Sequence, residues 1–215
     1  MVIAALAALA MVAGWLVFFS PVVAARSVVV RGSFQRLSAA EIRSAADVST
    51  HTPLVRLDTG AIKRRVAAIA GVAAVSVSRS FPSTVTIRVT ERIPVGYLNQ
   101  GSGFALVDKT GVQFGTVTAT PPGLPRFELA PGADARPSTV AAAEVAGVLP
   151  GKILSSLASV SAGSATAVSL VLRDGRVVRW GAPVRNAEKA QLLVALLKQP
   201  GSTFDISDPD IAVIR

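Results

Sequence analysis

A chain of 215 residues has room for one or two modest domains, and with 51 % hydrophobic and only 16 % charged residues it is no disordered basic tail, despite a net charge of +9. Cysteine is absent and His51 is the single histidine. These two counts exclude disulfide frameworks, thiolate metal sites, catalytic thiols and multi-histidine centres, and they leave little for a His-based triad.

Residues 2–25 run VIAALAALAMVAGWLVFFSPVVAA without a charge. At about 1.5 Å per helical residue, 24 residues reach about 36 Å, enough for a hydrocarbon core of about 30 Å. Val23-Ala24-Ala25 also resembles a signal-peptide cleavage site, but the apolar run is long for that role and no Lys or Arg precedes it. The expectation is a retained transmembrane anchor over 1–25. The nearest cation is Arg26, on the far side of the run, which opposes the usual positive-inside orientation. An upstream cytoplasmic segment rich in Lys or Arg would reconcile the two.

Ser27–Arg31 reads as a short strand ended by Gly32. Ser38 with Glu41 forms a capping-box pattern, flanked by Leu37 and Ile42 as a hydrophobic staple, which starts a helix. A second helix follows Thr59, with Ile62, Val66 and Ile69 on one side, Lys63, Arg64 and Arg65 on the other, and Gly71 as its stop. Val75 and Val77, then Val85, Ile87 and Val89, alternate with polar residues on either side of Ser80-Phe81-Pro82-Ser83, an antiparallel hairpin. Residues 27–93 therefore read β-α-α-β-β, a small α+β sandwich in which the two helices cover one sheet face.

In the second half, Asp108-Lys109-Thr110-Gly111 is a turn between apolar runs, and Pro121-Pro122-Gly123 leads to an extended Leu124–Leu129. Ser138–Val148 is a helix of ill-defined apolar face. Ala167–Leu172 and Val177–Trp180 form a hairpin across Asp174-Gly175; both faces carry apolar residues, so either both are covered or the register differs. Asn186 caps a helix striped by Leu192, Leu193, Leu196 and Leu197, ended by Pro200-Gly201, and Phe204–Ser207 and Ile211–Arg215 supply last extended pieces.

Few motifs carry chemistry. Lys109-Thr110-Gly111 matches an element of penicillin-binding proteins, but no lysine in the chain has a serine three residues before it, so a hairpin turn explains the triplet better. Asp205, Asp208 and Asp210 lack the spacing of a calcium loop and have Pro209 among them. Arginines are scattered and aromatics are 5 %, too sparse for a nucleic-acid stacking platform. His51 sits in a loop, where nothing marks it as a base. No catalytic residue, metal site or cofactor is expected.

Taken in order, Val28–Gly32, T-P-L-V-R-L-D (Thr52–Asp58), V-T-E-R-I-P-V (Val89–Val95), D-G-R-V-V-R-W-G (Asp174–Gly181), E-K-A-Q-L-L (Glu188–Leu193) and Q-P-G-S-T-F-D-I-S-D-P-D (Gln199–Asp210) resemble the FtsQ/DivIB family of bacterial cell-division proteins, in its actinobacterial form. The resemblance implies a single-pass type II membrane protein: an anchor (1–25), an extracytoplasmic POTRA domain (26–94) and a mixed α/β "β domain" (95–215). It further implies a non-enzymatic scaffold of the division septum that binds FtsB/FtsL-like partners and influences septal wall synthesis. The partner-binding edge strand would fall at Thr203, Phe204, Asp205, Ile206 and Ser207. Phe204 and Ile206 could equally be core, with only their backbone in play. Lys63, Arg64 and Arg65 are candidates for a second contact, or a solvated helix face. A POTRA-containing chaperone of polypeptide transport is the alternative, though neither tandem repeats nor a barrel of many strands is visible.

Overall fold

The computed structural model describes residues 24–130 and 135–215, together with Leu6 and Met11. The expected anchor thus lies outside the described residues except at Leu6, Met11, Ala24 and Ala25. Among the described residues no helix is long and apolar enough to cross a membrane. The chain divides into two compact units between Arg92 and Ile93.

The first unit runs β1 (Ser27–Arg31), α1 (Ala39–Ala46), a 3₁₀ turn (Leu54–Arg56), α2 (Thr59–Ala67), β2 (Val72–Ser80) and β3 (Thr84–Glu91). Its sheet has the order β1-β3-β2, with β1 parallel to β3 and β2 antiparallel to it. This is the β-α-α-β-β order expected from the periodicity. Both helices start on side-chain caps: Ser38 Oγ accepts the Glu41 N–H at 3.0 Å, and Asp58 Oδ1 accepts the Ala61 N–H at 2.9 Å. Their apolar faces bury Ile42, Ala46, Ile62 and Val66 against Val85, Ile87 and Leu54. The second helix stops at Ala67, short of Gly71, when the Ala68 N–H turns to the carbonyls of Arg64, Arg65 and Val66.

The second unit runs β4 (Pro94–Asn99), β5 (Phe104–Asp108), β6 (Gln113–Val117), β7 (Arg126–Leu129), α3 (Ala135–Val148), α4 (Gly151–Ser156), β8 (Leu157–Ser164), β9 (Ala167–Leu172), β10 (Val177–Gly181), α5 (Asn186–Leu196), β11 (Thr203–Asp205) and β12 (Val213–Ile214). All nine strands join one mixed sheet, ordered β12-β11-β10-β9-β8-β7-β4-β5-β6. Two parallel crossovers, β7 to β8 through α3 and α4 and β10 to β11 through α5, place helices over one face. There Ala141, Ala142, Val145 and Ala146 of α3 and Leu193 of α5 share a core with Val160, Leu170, Val178, Trp180 and Phe204. The apolar face of α3 is hard to read in sequence because it is made of alanines, whose small side chains let the helix lie close to the sheet.

Three elements, β4, α4 and β8, have no counterpart in the sequence reading. In β8 the register shifts at both ends, between Leu157 and Ser159 and between Ala162 and Ser164, which breaks the period-two pattern. The β9–β10 hairpin has one core face (Val168, Leu170, Leu172, Val178, Trp180), while Val171 and Val177, paired across the strands, are half-buried on the other. The Asp108 turn is tied by its own carboxylate: Oδ1 accepts the N–H groups of Thr110 (2.9 Å) and Val112 (3.1 Å) and the Thr110 hydroxyl (2.6 Å). His51 sits in the loop expected of it, and its N–H donates to the Ala25 carbonyl at 3.0 Å.

Candidate partner-binding edge

The strand expected to form the free edge lies one place in from it. Thr203–Asp205 pairs in parallel with β10 (Val177 with Thr203, Arg179 with Asp205) and antiparallel with β12 (Phe204 with Ile214, Asp205 with Val213). The chain folds back after β11, and Thr203 and Arg215 exchange both backbone hydrogen bonds, each 2.9 Å. Val213–Ile214 therefore replaces Thr203–Ser207 as the edge. Ile206 and Ser207 lie beyond the strand, and the Ile206 N–H donates to the Arg179 carbonyl at 2.9 Å. A proline at Ile206 would break that internal bond, so it is no probe of partner binding.

Side chains alternate across this end of the sheet. Phe204 and Ile206 have no exposed surface and belong to the core. The Arg176 guanidinium stands 6.0 Å from the Phe204 ring centroid. On the opposite face Arg179, Thr203, Asp205, Val213 and Arg215 line a shallow hollow of about 160 Å³. Asp205 Oδ1 accepts both the Ser207 hydroxyl and its N–H, the latter at 3.1 Å, and these bonds hold the carboxyl below its ordinary range.

The edge itself follows from the ladder. Because Thr203 and Arg215 form a mutually bonded pair, the backbone groups of β12 alternate, and the N–H and C=O of Ile214 point away from β11. Val213 and Ile214 are 41 % and 39 % exposed, so their side chains flank an accessible strand.

Next to this edge stands a small charged cluster that sequence reasoning missed. Arg185 donates to both Asp210 carboxylate oxygens (2.7 and 3.0 Å) and to Glu188 Oε2 (2.9 and 2.7 Å). The hydrogen bond from Arg185 holds the Asp210 carboxyl below its usual range, and Asp210 and Glu188 in turn raise the guanidinium. Arg185 rather than Asn186 is the N-cap of α5, with φ of 53°. The Asn186 side chain instead accepts the Trp180 indole N–H at 2.9 Å. Close by, Lys189 is fully buried, its amine donating to the carbonyls of Trp180 (2.9 Å) and Ala182 (3.0 Å), and burial lowers its pKa. The sequence signal for the edge was the extended Ile211–Arg215; none marked Arg185 or Lys189.

Lys63, Arg64 and Arg65 lie on the exposed side of α2 as expected, but they are not equivalent. The Arg65 guanidinium donates to the Ala46 carbonyl (3.1 and 2.6 Å) and the Asp47 carbonyl (3.0 Å), closing the C-terminal end of α1. Arg64 makes a long, exposed ion pair with Asp58 at 3.9 Å, and the bond from the Ala61 N–H holds the Asp58 carboxyl low. Among the described residues no group of three or more His, Asp or Glu is placed to hold a metal ion.

A β-α-α-β-β unit followed by an open mixed sheet is a two-unit α+β architecture, and β12 is the last strand at one end of that sheet. Residues 23–92 match the family model of the FtsQ-type POTRA domain, and residues 96–214 match that of the C-terminal domain of the cell division protein FtsQ/DivIB. The chain belongs to the FtsQ/DivIB family of cell-division proteins. It is 40 % identical over 207 residues to the cell division protein FtsQ of Mycolicibacterium smegmatis, covering 96 % of this chain and 62 % of that one. It is 39 % identical over 202 residues to FtsQ of Mycobacterium tuberculosis, covering 94 % of this chain and 64 % of that one. To FtsQ of Streptomyces coelicolor it is 36 % identical over 220 residues, covering 93 % and 82 %. The chain spans less than two thirds of the length of these mycobacterial relatives.

Proposed function

We propose that this chain is a non-enzymatic scaffold of the divisome that captures an extended segment of an FtsB/FtsL-like partner by strand addition to β12. In this reading residues 1–25 anchor the chain once in the cytoplasmic membrane with type II topology. Domains 26–94 and 95–215 lie outside the membrane at the septum, and the bound partner couples division assembly to septal peptidoglycan synthesis. The observation that supports the binding mode is the outward-facing N–H and C=O of Ile214 on a strand that, among the described residues, has no neighbour beyond it. In strand addition such main-chain groups supply affinity and flanking side chains supply selectivity. Val213 and Arg215 would meet the partner on one face and Ile214 on the other. Thr203 and Asp205 would stand one strand further in, and Phe204 and Ile206 would support the edge from the core. Lys63 and Arg64, with Arg65 committed to α1, are proposed as a second contact.

Proline at 214 removes the outward donor while leaving the Thr203–Arg215 bonds in place. The full chain and its Ile214→Pro and Ile214→Val variants should be compared by affinity capture of FtsB/FtsL-like proteins from solubilised membranes. Ile214→Pro should weaken capture about three- to tenfold, the worth of one hydrogen bond, at nearly unchanged melting temperature, while Ile214→Val captures normally. Equal capture by all three would remove β12 as the docking edge.

A further inference from the structure

We propose that Arg185 is a positioning residue: its bidentate bond to Asp210 latches the β11–β12 connection to the start of α5 and so holds the edge strand in pairing geometry. This inference rests on the strand-addition reading for its consequence, but not for its structural content.

Bonds that hold β12 gather at Arg215, just past its end: the Arg215 carbonyl accepts from the Thr203 N–H (2.9 Å) and from the Ser202 N–H and hydroxyl (2.8 and 3.3 Å), which leaves the strand's approach from the connection to be fixed elsewhere. The strand has two residues, both about 40 % exposed, and it returns across a seven-residue connection, 206–212. A connection of that length does not dictate register as a two-residue hairpin turn would. Register must come from fixed points along it. Ile206 is one, buried and bonded to Arg179. The tight turn at Asp208, whose Oδ1 accepts the Asp210 N–H at 3.0 Å and whose carbonyl accepts the Ile211 N–H at 3.2 Å, shapes the tip. It does not tie that tip to the rest of the sheet. The Arg185–Asp210 pair does, and it does so through a fork geometry that fixes direction as well as distance.

Arg185 is itself held by a stiff frame. Its φ of 53° is left-handed, unusual for a residue with a long side chain. The residues around it are pinned on both sides. Asn186 bridges the Trp180 indole N–H and the Pro183 carbonyl (3.2 Å), and the buried Lys189 amine clamps the Trp180 and Ala182 carbonyls. Gly181, at φ of 73°, lets the backbone of β10 pass against Ser207, which a Cβ would approach to 2.9 Å. The β10–α5 loop and the segment after β11 are thus packed as one piece, with Arg185 as its charged outer contact. Isolated exposed ion pairs contribute little, but a bidentate arginine shared between two carboxylates is the geometry in which they do contribute.

The test needs no partner for its first arm. Backbone amide exchange is measured on the full chain in detergent for Arg185→Ala, for the exchanged pair Arg185→Asp with Asp210→Arg, and for Glu188→Gln. Arg185→Ala should speed exchange at Arg215 and Thr203 about two- to fivefold, with β8 and β9 amides unchanged. The exchanged pair should restore the slow rate, and Glu188→Gln, which leaves the Asp210 bond intact, should change it less than Arg185→Ala. Unchanged exchange in Arg185→Ala, acceleration spread over β8 and β9, or failure of the exchanged pair to restore protection would each overturn the latch. In the second arm, capture of the FtsB/FtsL-like protein should weaken in Arg185→Ala and recover in the exchanged pair, because apparent affinity follows the population of the competent edge. Failure of the docking reading is seen separately, as indifference of capture to Ile214→Pro while the exchange pattern holds.

Discussion

The two ends of the nine-stranded sheet manage their open edges in different ways. At the far end, β6 is five residues long and carries an extra residue against β5, with Gly115 at φ of 65° inside it. A bulge with a left-handed glycine twists the strand away from regular pairing and is a common protection of an edge. At the near end, β12 pairs with β11 without a register shift, but over two residues only. One edge is long and broken; the other is short and regular. A broken edge disfavours an incoming strand, whereas a short regular one leaves its outward groups in line for a strand whose own length and side chains supply the remaining contacts. On the strand-addition proposal, an addressable edge need not be an extensive one, provided something outside the strand holds it in place.

That contrast can be broken from several sides. The largest effect is expected from Phe204→Ala. The ring is fully buried beneath the edge, and its loss should cost about 3–5 kcal/mol in the urea unfolding of the chain, as for other large buried rings. Loss of partner capture in that variant would then report collapse of the support rather than a missing contact, unlike the loss expected for Ile214→Pro at full stability. A smaller effect is expected at the other end. Gly115→Ala places a Cβ into open space but on a left-handed backbone, which should cost about 1 kcal/mol by the same unfolding measurement and leave capture untouched. If Gly115→Ala reduced capture, β6 would be an addressable edge as well and the contrast would fail.

The smallest effect concerns pH. The carboxyls of Asp205 and Asp210 are held low by Ser207 and Arg185. A carboxylate with a depressed folded pKa contributes stability that is fully present above its unfolded value, here 3.8, and is lost as pH falls through the folded value. Exchange at Arg215, corrected for the intrinsic rate, should therefore be flat from pH 8 to 5 and rise below about pH 4. Glu128 and Asp174 are also held low, by Arg126 and by bonds from Arg176 respectively, so the edge should loosen along with a gradual loss of global stability. A rise centred near neutrality would point instead to a group that the Asp205 and Asp210 carboxylates do not account for.

How far the sequence carried can be seen element by element. The first unit is legible almost completely, since Ser38 announces a helix start by a side chain that bonds three residues ahead, and Ile62, Val66, Val85 and Ile87 repeat with the period of their own element, although the cap of the second helix, Asp58, emerges only in the structure. In the second unit the same tools failed at β8, where bulges interrupt the alternation, and at α3, where alanines face the sheet without standing out. The sequence pattern marks Asn186 as a cap, but it anchors Trp180, because its partner is set by a strand six residues away rather than by its own helix. The spacing places Arg65 on a basic face, but its guanidinium closes the end of a neighbouring helix.

The amino-acid sequence by itself determined the Ser38 helix start and the Asp108 and Asp174-Gly175 turns, the order β-α-α-β-β, and membership of a family through motifs spread along the whole chain. Those features depend on residues a few positions apart, whose interactions are present whatever the rest of the chain does. Only the tertiary structure decided which strand is the edge. Thr203–Asp205 and Ile211–Arg215 are both short extended pieces in sequence, and nothing local ranks one outside the other. Pairing with β10 on one side and the return of Arg215 to Thr203 on the other made that choice, and Arg185, brought from before α5, became the residue positioned to hold it.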